Sequence, residues 1–173
     1  LSKISKEKNV KFVLGGHNSV SILHDPEERD YVTIFRNPIE RVYSVYKANL
    51  RDKKHTYHYL AKKGLNEFLR FCPDGRNGYC QNYSGFIERE VDDFIFNKAL
   101  KNLKKFKFIL NFENLIDEIK KFSQTFGCDI ENVPHLNSSE KSILNEEVKK
   151  KIEFYNFYDL KLLNEIKKNF NNF

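Results

Sequence analysis

Residues 31 to 46, YVTIFRNPIERVYSVY, restrict the fold more than any other stretch, because their period changes in the middle. Tyr31 to Phe35 is β-branched and aromatic over too few residues for a helix, which predicts a buried strand. Beyond it Ile39, Val42, Tyr43, Tyr46 and Leu50 recur at three- and four-residue steps, forming one apolar helix face, while Arg41, Ser44 and Ala48 fall on another. Asn37 is placed to cap that helix, Pro38 suits its first position, and Glu40 stands where a capping-box partner would reach back. The stretch therefore predicts a strand, a tight turn and a helix. Such a turn aims unpaired backbone N–H groups and the positive end of the helix dipole at the space beyond the strand's carboxyl end. Arg36 at the strand exit and Ser44 two turns into the helix add a forked cation and a hydroxyl, a set suited to a phosphate or sulfate group. The same two residues also fit a surface arginine and a helix-packing serine.

The rest of the chain alternates in the same way. Val10 to Leu14 predicts a strand running into Gly15, Gly16 and His17, where two glycines permit a close backbone approach. RDKKHTYHY reads as a polar segment, Leu65 to Phe71 as a short amphipathic helix, and residues 73 to 86 as a loop rich in Gly, Asn and Pro. A helix is expected from about Glu90 to Leu103 and a strand over 106 to 110. A further helix is expected from Asn111 to Phe126, with Leu115, Ile116, Ile119 and Phe122 on one face and Gly127 as its stop. VPHLNSSEK interrupts, with Ser139 a candidate N-cap leading into EKSILNEE; about Ile143 to Phe170 then predicts two helices broken near Glu153 to Asn156. Strands separated by helices imply an α/β fold, a parallel β-sheet flanked by helices.

With 173 residues, 40% hydrophobic and 14% aromatic, the chain suits one domain over 1–173. No apolar run approaches the ~20 residues of a membrane span. The formal charge of +6 suits an anionic partner. Nucleic acid is disfavoured, because no helix-turn-helix, zinc or RNP-like pattern occurs and the aromatics sit at core spacing. Cys72 and Cys80 bracket a turn-rich segment that a disulfide could close in an oxidising compartment; Cys128 is left over, and free buried thiols are the commoner alternative. No metal site is expected from this cysteine and histidine spacing.

The order of motifs resembles the carbohydrate (membrane-type) sulfotransferase family, heparan- and chondroitin-like, which uses 3′-phosphoadenosine 5′-phosphosulfate (PAPS) as donor. The resemblance rests on GGHNSVSIL, FRNPIERVYSVY, RNGYCQNYSG, FILNFENLIDEIKKF, PHLNSS and a C-terminal helical pair with Asn156 and Asp159. Its specific part is a strand followed by R-(D/N)-P-x-x-R-x-x-S-x-Y, filled here by Arg36, Asn37, Pro38, Arg41, Ser44 and Tyr46. The resemblance implies a P-loop-like sulfotransferase fold. It further implies a 3′-phosphate site at Arg36 and Ser44, with Arg41 adding charge or, as the favoured alternative, a structural ion pair. His17 would be the base that takes a proton from a sugar hydroxyl, the other alternative being a satisfied loop histidine. His135, Asn137, Ser138, Ser139 and Lys141 would fold over the nucleotide. The acceptor implied is a glycan, with a uronic acid preferred on the strength of His17. His24, His55 and His58 have no such support and are read as surface residues. The family's Asn-x-Gln-x-Arg-x-x-x-Gly pattern is met only at Asn77 and Gly85, because Tyr79 and Gln81 occupy the Gln and Arg positions. No acceptor contact is assigned there.

One departure stands out. The family's strand, P-K-(T/A)-G-(T/S)-(T/S) loop and helix, which cradle the 5′-phosphosulfate, are not found in these residues. The lack of Met and the start at Leu1 lead us to expect an N-terminally truncated sulfotransferase, weak or inactive in this form. The alternative is a non-catalytic nucleotide- or glycan-binding relative. Animal members of the family work in the Golgi lumen and bacterial ones in the cytoplasm.

Overall fold

A short strand, β1 (Val32–Phe35), leads through Arg36 and Asn37 into α1 (Pro38–Arg51), as the change of period predicts. The structure is a computed structural model that describes residues 31–127 and 144–169. The strand expected at Val10 to Leu14, with Gly15, Gly16, His17 and His24, lies outside the described residues. So do Cys128, His135, Asn137, Ser138, Ser139 and Lys141.

After α1 come α2 (His58–Lys63), α3 (Leu65–Phe71), a 3₁₀ turn (Pro73–Gly75) and α4 (Gly78–Ser84). Next are α5 (Asp93–Leu103), β2 (Phe108–Asn111), a second 3₁₀ turn (Phe112–Asn114), α6 (Leu115–Phe126), α7 (Glu146–Tyr155) and α8 (Phe157–Asn169). β1 and β2 pair in parallel, Val32 opposite Phe108 and Phe35 opposite Asn111. Among the described residues the architecture is therefore mixed α/β, mostly helical, with a small two-stranded parallel sheet. No helix among them is long and apolar enough to cross a membrane.

Packing explains which expectations hold. Thr33 and Phe35, two residues apart, share one face of β1. Phe35 is fully buried and stacks on Tyr79 of α4 with ring centroids 3.9 Å apart, and the Thr33 and Tyr83 hydroxyls meet at 2.7 Å. The opposite face is open at Ile34, 45% exposed, so β1 is half-buried where a fully buried strand was expected. Phe35, Cys80, Tyr83, Ile95, Ala99, Ile109, Leu162 and Ile166 form one core. Ile39 and Val42 of α1 pack with Leu69 and Ile152 in a second, and Leu60, Phe68 and Cys72 make a third.

The expected α3 and the break between the last two helices appear where predicted, the break falling at Asn156. Gly127 ends α6 in the left-handed conformation (φ 61°). Ile116, placed on α6's apolar face, is 47% exposed. α5 begins at Asp93, later than expected, because the Asp92 carboxylate caps it by accepting from the Ile95 N–H at 2.8 Å. The polar segment after α1 contains α2, whose first residue, His58, is half-buried and places Nδ1 2.7 Å from the Asn49 carbonyl oxygen; the surface reading of His58 is corrected.

The largest correction concerns residues 73 to 86, expected to be a loop. Their turn-forming residues sit at helix ends: Asn77 in the left-handed region (φ 44°) before α4, and Gly85 (φ 81°) after it. The disulfide fails for the same reason. Both thiols are free and buried, Cys80 facing the first core from α4 and Cys72 facing the third from the end of α3.

Candidate functional site

The turn between β1 and α1 is held by tertiary contacts that local sequence does not announce. The Arg36 N–H donates to the Tyr79 hydroxyl at 3.0 Å, which ties the strand exit to α4. The Asn37 side chain caps α1 by accepting from the Ile39 N–H at 2.9 Å. The reciprocal half of the capping box is different from the expectation. The Asn37 N–H donates to Glu113 Oε1 at 2.9 Å, a carboxylate 76 residues away, while Glu40 turns to Arg36. Pro38 has no N–H and the Arg41 N–H is bonded to the Asn37 carbonyl. Of the unpaired amides expected in this turn, the Glu40 N–H is the one left without a partner among the described residues.

Arg36 and Ser44 nevertheless stand in line. Glu40 and Ser44, four residues apart, share a face of α1, and Arg36 Nη2 lies 3.6 Å from Glu40 Oε2. The guanidinium also stacks over the Phe112 ring, 4.8 Å from its centroid, and 27% of its side chain stays exposed. The exposed pair with Glu40 holds it weakly, at roughly 0–1 kcal/mol. The Ser44 hydroxyl, partly buried one turn further along, makes no hydrogen bond among the described residues. A forked cation therefore stands by the positive end of α1, where two carboxylates, Glu40 and Glu113, also reach, with Ser44 one turn beyond Glu40 on the same helix face.

Arg41 is turned inward. Its Nη2 donates to the Asp74 carbonyl at 3.1 Å and lies 3.8 Å from Asp159 Oδ2, and its guanidinium covers the Tyr79 ring at 4.6 Å. A Cβ on Gly78 would come within 2.5 Å of Arg41 Nη2, so only glycine at the start of α4 admits this approach. The geometry fits the structural alternative for Arg41.

Behind Arg41, α4 and α8 meet N-terminus to N-terminus and cap each other. Asp159 accepts from the Tyr79 and Cys80 N–H groups at 2.9 and 2.8 Å, and Asn77 Oδ1 accepts from those of Tyr158 and Asp159 at 3.0 and 3.1 Å. Asn156 closes the junction, accepting from the Asn77 N–H and donating to the Gly75 carbonyl. Burial pushes the Asp159 carboxyl up, while Arg41 and the two N–H bonds pull it down. Burial likewise raises the Tyr79 hydroxyl, which stays a neutral hydrogen-bonding group.

Of the residues singled out from sequence, Arg36 stands at the turn into α1 against Glu40 and Phe112, Ser44 lies one turn beyond Glu40 on α1, Arg41 is turned inward, and His17, Asn137, Ser138 and Ser139 lie outside the described residues. Tyr79, Phe112 and Glu113 were missed. Tyr79 and Tyr83 carry a helical signal, four residues apart, masked by the surrounding Gly and Asn; Glu113 reaches Asn37 across a sequence separation that no local pattern bridges. No family model, curated protein or solved structure matches the chain.

Proposed function

We propose that the protein is a sulfotransferase that moves a sulfuryl group from PAPS to a hydroxyl of a carbohydrate acceptor, in a P-loop-like sulfotransferase fold. What supports this reading is the position of Arg36, at the carboxyl end of a parallel strand and beside the N-terminus of α1, with Ser44 one turn beyond its partner Glu40 on the same helix face. Arg36 holds the donor's 3′-phosphate through two N–H groups and Ser44 donates a third bond, once the exposed Glu40 carboxylate swings away. Tyr79 and Phe112 are positioning residues, one fixing the Arg36 backbone and the other lying flat beneath its guanidinium.

In the transfer step the acceptor hydroxyl oxygen attacks sulfur and the bond from sulfur to the bridging phosphate oxygen breaks. Adenosine 3′,5′-bisphosphate leaves with the electron pair, and the hydroxyl proton passes to the His17 imidazole. Asn137, Ser138 and Ser139 close over the nucleotide in this reading, and Arg41 supports the site from behind. The alternative reading is a relative that holds nucleotide or glycan without transfer.

Calorimetric titration with adenosine 3′,5′-bisphosphate and, separately, adenosine 5′-monophosphate tests the reading. The account predicts that the 3′-phosphate strengthens binding by about 1.5–3 kcal/mol, the scale of hydrogen bonds to charged groups. Equal affinity for the two nucleotides would contradict it.

A further inference from the structure

Most of the chain's surplus charge gathers at the end of α1. Between Arg51 and Phe71 six cations stand against two acids, Asp52 and Glu67, a surplus of four in a chain whose formal charge is +6. Lys53, Lys54, Lys62, Lys63 and Arg70 are all exposed, and none has an ion pair among the described residues. The proposed nucleotide site stands at the other end of the same helix, whose 14 residues span about 21 Å.

The backbone here is well fixed, and its folding turns these charges outward. Asp52 Oδ1 accepts from the Lys54 N–H at 2.9 Å, and the His55 and His58 N–H groups donate to the Asp52 and His55 carbonyls, which closes the loop after α1. α2 and α3 then form a hairpin through Gly64, whose φ of 114° suits glycine and which ends one helix and starts the next. Leu60 and Ala61 of α2, with Phe68 and Cys72 from α3 and its end, are spent on the third core, against Val45 and Tyr46 of α1. With that face buried, Tyr59, Lys62 and Lys63, three and four residues apart, share the outward face of α2. On α3 the Arg70 guanidinium covers the Phe71 ring, 5.2 Å from its centroid.

Two aromatic rings stand among the cations: Tyr59 is 58% exposed and Phe71 51%. Large rings left in water beside basic side chains mark a surface that meets a partner. The kind of partner follows from what is fixed and what is not. The backbone is held, but nothing ties the tips of the lysines to one another, so they offer no set spacing for one shaped anion. Helices of six and seven residues, about 9 and 10 Å long, are short for reading a nucleic-acid groove, and their outward side chains protrude instead of lining a channel. A bilayer surface needs neither. Its phosphate-bearing headgroups move sideways to meet mobile cations, and the headgroup layer takes up aromatic rings.

We propose that the α2–α3 hairpin and the loop before it form a docking face for an anionic lipid surface. Lys53, Lys54, Lys62, Lys63 and Arg70 meet lipid phosphates and carboxylates, and the rings of Tyr59 and Phe71 enter the headgroup layer. Clusters of about four to eight basic residues hold anionic membranes in this way, through an attraction that salt screens and that is strengthened by apolar anchors. The contact is peripheral and reversible. It goes beyond the proposed transfer reaction and does not rest on it.

The test is co-sedimentation of the whole chain with vesicles of phosphatidylcholine alone and of three parts phosphatidylcholine to one part phosphatidylserine. The variants are Lys53→Gln with Lys54→Gln, Lys62→Gln with Lys63→Gln, and Tyr59→Ser. Lys104→Gln with Lys105→Gln, just after α5, removes the same charge elsewhere and serves as the control; all these positions are exposed. The expected result is binding to the phosphatidylserine vesicles alone, lost as salt rises. Each hairpin pair should weaken it roughly tenfold or more and Tyr59→Ser roughly threefold, with the control pair unchanged. The hairpin variants should titrate with adenosine 3′,5′-bisphosphate as the wild type does, so that failure at either site is read apart from the other. The proposal is overturned if neither vesicle binds, if the neutral one binds equally, or if the control pair weakens binding as much as the hairpin pairs. It is also overturned if Tyr59→Ser changes nothing, or if a mixed-sequence oligonucleotide or a polyglutamate peptide binds through the same lysines more tightly at equal charge concentration.

Discussion

At Arg36 an aromatic face and a carboxylate act on one guanidinium, and their strengths decide what the residue is free to do. The Phe112 contact orients the plane, while the exposed Glu40 pair is weak enough for a doubly charged phosphate to displace. Arg41, five residues on, is spent inside the fold, and nothing in R-N-P-x-x-R distinguishes the two; the Gly78 approach and Asp159 do. Cysteine chemistry belongs at this scale as well. Burial raises the Cys72 thiol to about 11 and raises Cys80 further, so both stay protonated where an ordinary thiol near 8.5 has ionised. At pH 9 we expect neither to react with a thiol reagent in the native protein, and both to react at once in denaturant, with sites mapped by mass spectrometry. Rapid native labelling of Cys80 would show that α4 does not pack on the sheet as described.

Among the elements, α4 is the piece sequence reasoning lost, and the reason is physical. A seven-residue helix with glycine first and asparagine inside has poor intrinsic propensity. It forms because Asp159, 80 residues away, satisfies its first amides and because Tyr79 and Tyr83 stack on Phe35. The elements read most closely, β1, α1, α3 and the α7–α8 pair, are those whose apolar spacing is local; α6 starts at Leu115 and not at Asn111, because Asn111 still pairs in β2 and its side chain caps the 3₁₀ turn by accepting from the Glu113 N–H. Asn77 tests the mutual capping. Asn77→Ala loses the bonds to α8 and strains the left-handed position, and should cost about 2–3 kcal/mol in urea unfolding. Asn77→Gly keeps the conformation and loses only the cap, so we expect about 1 kcal/mol less damage. Equal costs would mean that the backbone conformation there is not under strain.

On the scale of the whole molecule, the described sheet has two strands and one partly open face at Ile34, so the helices and their buried polar junction order the fold more than the sheet does. The alternation of strands and helices was legible because the two periods differ. The extent of the sheet was not, since it depends on pairings that no single stretch encodes. The residues that the proposed transfer calls on are divided accordingly: Arg36 and Ser44 lie on the described scaffold, whereas His17 and the Asn137 to Ser139 segment lie outside it. The central claim is that the β1–α1 turn binds the 3′-phosphate of the donor. Its most direct test is titration of adenosine 3′,5′-bisphosphate into the wild type, Arg36→Ala, Ser44→Ala and, as an exposed control on the same helix, Lys47→Ala. The account predicts that the first two substitutions each weaken binding by about 1–3 kcal/mol while the third leaves it unchanged. Binding indifferent to Arg36 and Ser44 would contradict it and leave YVTIFRNPIERVYSVY as a strand and a well-capped helix.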